Sequence, residues 1–247
     1  MIEKLKTYFK KLDANQQKIL HELHLANLQS KELEWAHIYH DSIRGKKWLE
    51  ELPIHVGRWA GNYSFFYVLH RILSDYQPNK ILELGLGEST KVVSAYLENE
   101  LHTSTHTVIE HNEEWVHAFH KKFKLSPKSN IEVCPLQTKI INQHEVIGYE
   151  GFDTKTTDDF DLYLIDGPFG SERFSRYDII SMVEKFEPDK EFIILFDDTN
   201  RPGEEETCQK IMSILKEKNI AHHSFKYEGN KASTVIASNA YQYAISF

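Results

Sequence analysis

The chain has 247 residues, 40% hydrophobic and 27% charged, which is enough for one large α/β domain with residues to spare. Its net charge of −8 is uneven: residues 1–60 carry 10 Lys and Arg against 8 acids, whereas residues 61–247 carry 19 against 29. The main body therefore repels polyanions, and nucleic acid is not an expected partner. Two cysteines, Cys134 and Cys208, form no CxxC pair. With no apolar run of ~18 residues and no apolar signal-peptide core, they predict reduced thiols, no membrane partner and a cytoplasmic protein.

Residues 2–52 read as helix. Across 14–44, Ile19, Leu20, Leu23, Ala26, Leu33 and Ile38 recur at three- and four-residue spacing, and Gly45 and Pro53 end the segment. These residues predict an N-terminal helical extension over 1–60, ahead of a domain over 61–247, and offer a surface for a homodimer. A second helix is expected at 62–76, capped by Asn62 and stopped by Pro78.

From there the pattern alternates. Strands are predicted at Lys80–Leu84, Thr105–Glu110, Asn130–Pro135, Asp161–Asp166 and Glu191–Asp197, with helices at about 89–100, 112–124, 174–186 and 204–218. Alternation of this kind gives βαβ units and a parallel sheet covered on both faces. The tail, with β-rich runs at Ala221–Tyr227, Ser233–Ser238 and Tyr241–Phe247 around Gly229-Asn230, predicts an antiparallel hairpin. The fold expected is α/β: a Rossmann-like, doubly wound, seven-stranded sheet, mostly parallel with the last strand antiparallel.

The stretch ILELGLGEST, 81–90, runs from a strand through Gly85 and Gly87 into a helix. Glycine lets a backbone come close to a ligand. A phosphate-binding loop would carry Gly-Lys-Ser/Thr, which Glu88 and Lys91 do not supply. A dinucleotide fingerprint would carry a third glycine where Thr90 stands. Glu88 at the helix start also disfavours a pyrophosphate. Glu110, at the end of the second strand, is placed to accept ribose hydroxyls. Together these point to a nucleoside with a charged tail lacking phosphates, and S-adenosylmethionine fits.

Glu83-Leu84-Gly85-Leu86-Gly87, Glu110 and the antiparallel tail resemble the class I S-adenosylmethionine-dependent methyltransferases over roughly residues 60–247. The resemblance implies cofactor contacts from Gly85, Gly87 and Ser89, with Glu83 ordering the loop or reaching the cofactor's amino group. It also implies a ribose acid in Glu110 and a place near the adenine for His111.

Two further strands end in acids, LYLIDGPFG at 162–170 and FIILFDDTNRPGE at 192–204. In an open parallel sheet the ligand crevice lies beyond the carboxyl ends of the strands. Asp166 and Asp198 are therefore candidate catalytic groups, with Asp166 also a candidate ligand for the cofactor's ammonium. Clustered oxygens of Asp166, Asp197 and Asp198, with Asn200 beside them, could hold Mg²⁺ or another hard cation. Catechol-type methyltransferases, which these ends resemble, place a metal there, although Asp197-Asp198-Thr199-Asn200 departs from their Asp-Asn pair. Arg176 and Arg201 resemble residues of a subgroup that includes the plant glucuronoxylan methyltransferases. With Asn200 they are candidate substrate contacts, either as forks for a carboxylate or as partners of a nearby Asp178 or Asp198.

Trp59, Asn62 and Tyr63 are placed to close over the site, and the long loop 136–160, with Tyr149 and Phe152, to form part of an acceptor pocket. The activity expected is methyl transfer to a hydroxyl of a small molecule or glycan. An aminopropyl transfer and a non-catalytic nucleoside-binding module are the alternatives on the same fold.

Overall fold

The computed structural model describes residues 2–156 and 159–247. In chain order the elements are α1 (Ile2–Ser42), α2 (Lys47–Glu50), α3 (Tyr63–Asp75), β1 (Lys80–Leu84), α4 (Glu88–Asn99), β2 (Thr105–Glu110), α5 (Glu113–Lys122) and β3 (Ser129–Val133). They continue with β4 (Leu136–Ile141), β5 (His144–Tyr149), α6 (Phe152–Lys155), β6 (Leu162–Ile165), α7 (Ile179–Val183), β7 (Ile193–Phe196), α8 (Pro202–Glu217), β8 (His222–Glu228) and β9 (Ala232–Ser238).

Seven strands form one sheet in the order β3-β2-β1-β6-β7-β9-β8. All the pairings are parallel except those of β9, which runs antiparallel to both β7 and β8. This is the expected Rossmann-like α/β sheet. Its central strands are apolar at successive positions because both faces are covered. Ile81, Leu164, Ile193, Leu195 and Val235 face α3 and α4, while Leu82, Tyr163, Ile165, Ile194 and Phe196 face α7 and α8. The strand order reverses between β1 and β6, so a crevice is expected outside their carboxyl ends.

Asn62 caps α3 as expected, accepting from the Phe65 amide. Three segments differ from expectation. The loop 136–160 contains a β4–β5 hairpin turned by Asn142 and Gln143, both at positive φ. Its residues 157 and 158 lie outside the described residues. Tyr149 and Phe152 stack in the core rather than lining an open pocket. The helix expected over 174–186 shrinks to α7 because Phe174 and Arg176 take φ of 50° and 56°, which no helix tolerates. The run Tyr241–Phe247 forms a 3₁₀ turn instead of a strand. Tyr241 and Phe247 close on Tyr76, and the Arg71 guanidinium lies 4.8 Å from the Phe247 ring.

One carboxylate of the helical front makes several links to the sheet side. Glu32 on α1 accepts from the Tyr63 amide at 2.8 Å, from Asn62 Nδ2 at 2.8 Å and from the Asn230 amide at 2.9 Å. It thus links α1, the start of α3 and the β8–β9 turn. A side chain at Gly229 would displace the Glu32 carboxylate. Glu32→Ala is expected to lower the free energy of unfolding by about 1–3 kcal/mol, since three donors lose their acceptor. Urea denaturation of the full chain measures this.

Candidate active site

At the β1–α4 turn Gly85 takes φ of +99°, a conformation that side chains rarely adopt. A Cβ there would lie 3.0 Å from the Asp166 carbonyl oxygen, and one at Gly167 would lie 2.8 Å from the Gly85 amide nitrogen. The loops following β1 and β6 are therefore in backbone contact. Gly87 is different. Its φ of −162° is extended backbone, and a Cβ would meet nothing within 4 Å. It forms the open wall at the start of α4, with its amide given to Thr90 Oγ1 at 2.9 Å.

Glu110 holds this turn from the end of β2. Its Oε2 accepts from the Leu86 amide at 3.0 Å. Its Oε1 accepts from the amides of His111 at 2.7 Å and Asn112 at 2.8 Å, and lies 2.8 Å from His111 Nδ1. A carboxylate offers about four lone-pair positions, so Oε2 keeps one free. Trp115 Nε1 donates to the Leu86 carbonyl at 2.8 Å, clamping the same turn from α5. The His111 ring meets Phe169, on the loop after β6, edge to face at 4.8 Å. Glu83 and Ser89 hydrogen-bond each other inside the protein, and Glu83 Oε2 lies 3.0 Å from His106 Nε2 on β2. These two residues support the turn from within.

The front segment crosses the start of α4. The His55 amide donates to Glu88 Oε2 at 2.9 Å, and Lys91 reaches both Glu88 and the Pro53 carbonyl. Trp59, 89% exposed, tops the loop between Gly57 and Gly61. Tyr63 turns the other way and packs on Tyr39 and His40 of α1.

Beyond β6 and β7 the expected acids do meet. Ligand-type oxygens of Asp166, Asp197 and Asp198 lie within 4.8 Å of one another. Arg176, whose backbone is left-handed, is buried among them. Its Nη2 lies 2.8 Å from Asp198 Oδ2 and 3.2 Å from Asp166 Oδ1, and its Nη1 donates to the carbonyls of Asp197 and Ile165. Arg201 Nη1 reaches Asp198 Oδ2 at 3.1 Å. Lys231 Nζ lies 3.1 Å from Asp198 Oδ1 and 3.7 Å from Asp197 Oδ2, and donates to the Ala60 carbonyl at 3.0 Å. Asp197 also accepts from Ser233 Oγ at 2.8 Å, and Asn200 Oδ1 from the Ala232 amide at 3.1 Å.

Both arginines have partners within the chain, Arg176 in Asp166 and Asp198 and Arg201 in Asp198. Arg176 has its terminal nitrogens committed to the strand ends, while Arg201 remains half-exposed at the rim. The metal expectation is not supported. The oxygens that would ligate it already face Arg176, Arg201 and Lys231, and a divalent ion would have to displace fixed positive charge. Sequence reasoning missed Lys231 and Glu204. β8 runs parallel to β7, so its hairpin turn is delivered to the carboxyl end where Asp197 sits, and that topology was the available signal for Lys231. Glu204 reads as an ordinary first-turn acid of α8, yet it is buried and accepts from Ser175 Oγ at 3.1 Å.

Charge in this cluster is unequally shared. Burial, together with neighbouring carboxylates, raises the pKa values of Asp166 and Asp197 above the usual carboxylate range, against the pull of Arg176 and Lys231. Burial would raise Asp198 as well, but Arg176, Lys231 and Arg201 outweigh it, and its carboxyl is held below the usual range. Asp166 is the most open of the three, with a fifth of its side chain exposed.

Arg176→Ala is expected to cost about 3–5 kcal/mol of unfolding free energy, because buried carboxylates lose their shared cation. Arg176→Lys should recover only part, having no planar fork. Chemical denaturation of the two variants beside the parent measures both. Titration with Mg²⁺ or EDTA should shift the melting temperature of the parent by less than 1 °C, a rough bound that follows if no ion links to the native state.

No protein-family model matches the sequence, and no curated protein matches it. Solved structures do. The O-methyltransferase TomG of Streptomyces achromogenes, in complex with SAM, is 12% identical over 87% of this chain and 88% of its own, with a TM-score of 0.47. The SAH-bound methyltransferase PaMTH1 of Podospora anserina is 14% identical over 85% and 88%, with a TM-score of 0.44. A precorrin-6y C5,15-methyltransferase of Geobacter metallireducens is 12% identical over 74% and 92%, also at 0.44. At these levels of similarity, any functional reading rests on the residues of this chain.

Proposed function

We propose that this chain is an S-adenosylmethionine-dependent methyltransferase of class I that methylates a hydroxyl of a small molecule or sugar. The observation that carries the reading is the pairing of an open glycine with a ribose-type acid at the switch point of the sheet. Gly87 leaves space where a side chain would stand, and Glu110 presents one uncommitted lone pair beside it.

In this reading Gly85 and Gly87 admit the methionine portion, and Glu110 Oε2 accepts a ribose hydroxyl. His111 and Phe169 flank the base, as their edge-to-face contact suggests. The bound cofactor supplies an electrophilic methyl on a sulfonium, whose leaving group departs as a neutral thioether. The remaining work falls to the chain: to align the acceptor oxygen near ~3–3.5 Å and to take its proton. Asp166 suits the second task better than Asp198. It is partly open, and its raised pKa makes it the stronger base, whereas Asp198 is buried and held ionised by three cations. Arg201, half-exposed at the rim, is the guanidinium left to meet an acceptor.

Gly87→Asn provides the cleanest test of the cofactor cleft. Asparagine is a good helix cap, so stability should hold or rise, yet its side chain enters the open space. Calorimetry should show S-adenosylmethionine binding to the parent, no NAD⁺ binding, and an affinity lower by about tenfold or more in the variant. Equal binding by both proteins would place the cofactor elsewhere.

If Asp166 is the base, methyl transfer requires its ionised form. Activity should rise with pH through an apparent pKa above the ordinary carboxylate range. Its stability contribution has the opposite sign: a carboxyl with a raised native pKa favours the fold below the unfolded value of about 3.9, and that contribution fades as pH climbs through the native one. A labelled-methyl assay across pH, repeated with Asp166→Asn, checks the limb and its loss.

A further inference from the structure

α1 is 41 residues long, about 60 Å at 1.5 Å per residue, and its contacts with the body described here come from its last third. Trp35, Ile38 and Tyr39 pack on the core, and Lys31 and Glu32 pair with residues of β8, its turn and α3. The opposite side carries a second apolar row. Phe9, Leu12, Ile19, Leu23 and Leu33 are between 50% and 65% exposed. With Gln16, Ala26 and Ser30 they follow the alternating three- and four-residue spacing of a coiled-coil seam: 9, 12, 16, 19, 23, 26, 30, 33. An isolated helix gains little in water, so five large exposed apolar side chains among eight positions at a 3.5-residue period call for a facing helix.

We propose that α1 forms an antiparallel two-stranded coiled coil with α1 of a second copy of this chain, making the protein a homodimer. Charge decides both occupant and direction. With residue numbers on facing seam positions summing to 42, Phe9 meets Leu33 of the second copy and Ile19 meets Leu23. In the same register the flanking row places Lys6 opposite Glu34, Asp13 opposite Asn27 and Leu20 opposite its own copy, so two oppositely charged pairs form by symmetry. The other flanking row sets Asn15 opposite Gln29, with one like-charged pair, Glu22 with its copy, at the two-fold axis, where Lys18 one turn away offsets it. In a parallel pair the flanking residues would be Tyr8 with Asp13, Asn15 with Leu20, Glu22 with Asn27 and Gln29 with Glu34, none of them complementary. The large seam side chains are exposed, whereas the contacts of α1 with the core come from other positions, Trp35, Ile38 and Tyr39. The isologous pairing closes on itself and leaves no free end.

Sedimentation equilibrium of the full chain tests this. The parent should sediment at twice its 28.9 kDa. Ile19→Glu with Leu23→Glu should give a monomer, with near-ultraviolet dichroism of the α/β body unchanged. Lys6→Glu should weaken the dimer about threefold to tenfold, and adding Glu34→Lys should restore it. A parent that stays monomeric at all concentrations would overturn the proposal and assign the seam to a different protein. A dimer indifferent to the two seam glutamates would overturn it too. Failure of the Lys6/Glu34 exchange to restore affinity would overturn the antiparallel register.

Discussion

One guanidinium makes the carboxyl edge of this sheet possible. Asp166, Asp197, Asp198 and Glu204 stand at or near the ends of two adjacent strands and the start of α8, three of them buried. Four such charges would drive one another to protonate. Arg176 lies among them, bonded to two of the carboxylates and to two strand-end carbonyls, with Lys231 and Arg201 completing the charge. The chain accepts a left-handed backbone at Arg176 and another at Asp198 to achieve this. Strain of that kind persists where the surroundings over-determine it, commonly at functional sites. The outcome is asymmetric: one aspartate stays firmly ionised and two are pushed toward protonation, which separates a structural acid from a candidate base.

The second constraint is the contact between the loops after β1 and β6. Gly85 and Gly167 lie backbone to backbone, Glu110 and Trp115 fix the turn between them, and the opening is left at Gly87. Small molecules bound at such a switch point are read by a few rigid donors and acceptors. The turn is held on three sides: by a buried Glu83–Ser89–His106 cluster below, the Glu110 clamp beside it, and the Glu88–His55 link across the front.

Much of this was legible in the sequence, for identifiable reasons. The sheet follows from apolar runs that are buried on both faces. The antiparallel strand follows from a hairpin turn at Gly229-Asn230. The meeting of Asp166, Asp197 and Asp198 follows from their sitting at strand ends. What was not legible depends on side-chain pairing across the fold. Arg176 reads equally as a substrate fork and as a counter-ion. Lys231 sits in an unremarkable turn, and Glu204 resembles a solvated cap. The β4–β5 hairpin was hidden because Asn142-Gln143 lacks the glycine that usually marks such a turn, and the C-terminal 3₁₀ segment because its aromatic residues pack on α3 instead of pairing with a strand.

The most direct measurement is a crystal structure of the full chain soaked with S-adenosylhomocysteine. The account predicts density along the open face of Gly87, with the ribose within hydrogen-bonding distance of Glu110 Oε2 and the sulfur turned toward Asp166. Density elsewhere, or a crevice still empty at saturating ligand with Glu110 unmoved, would contradict it.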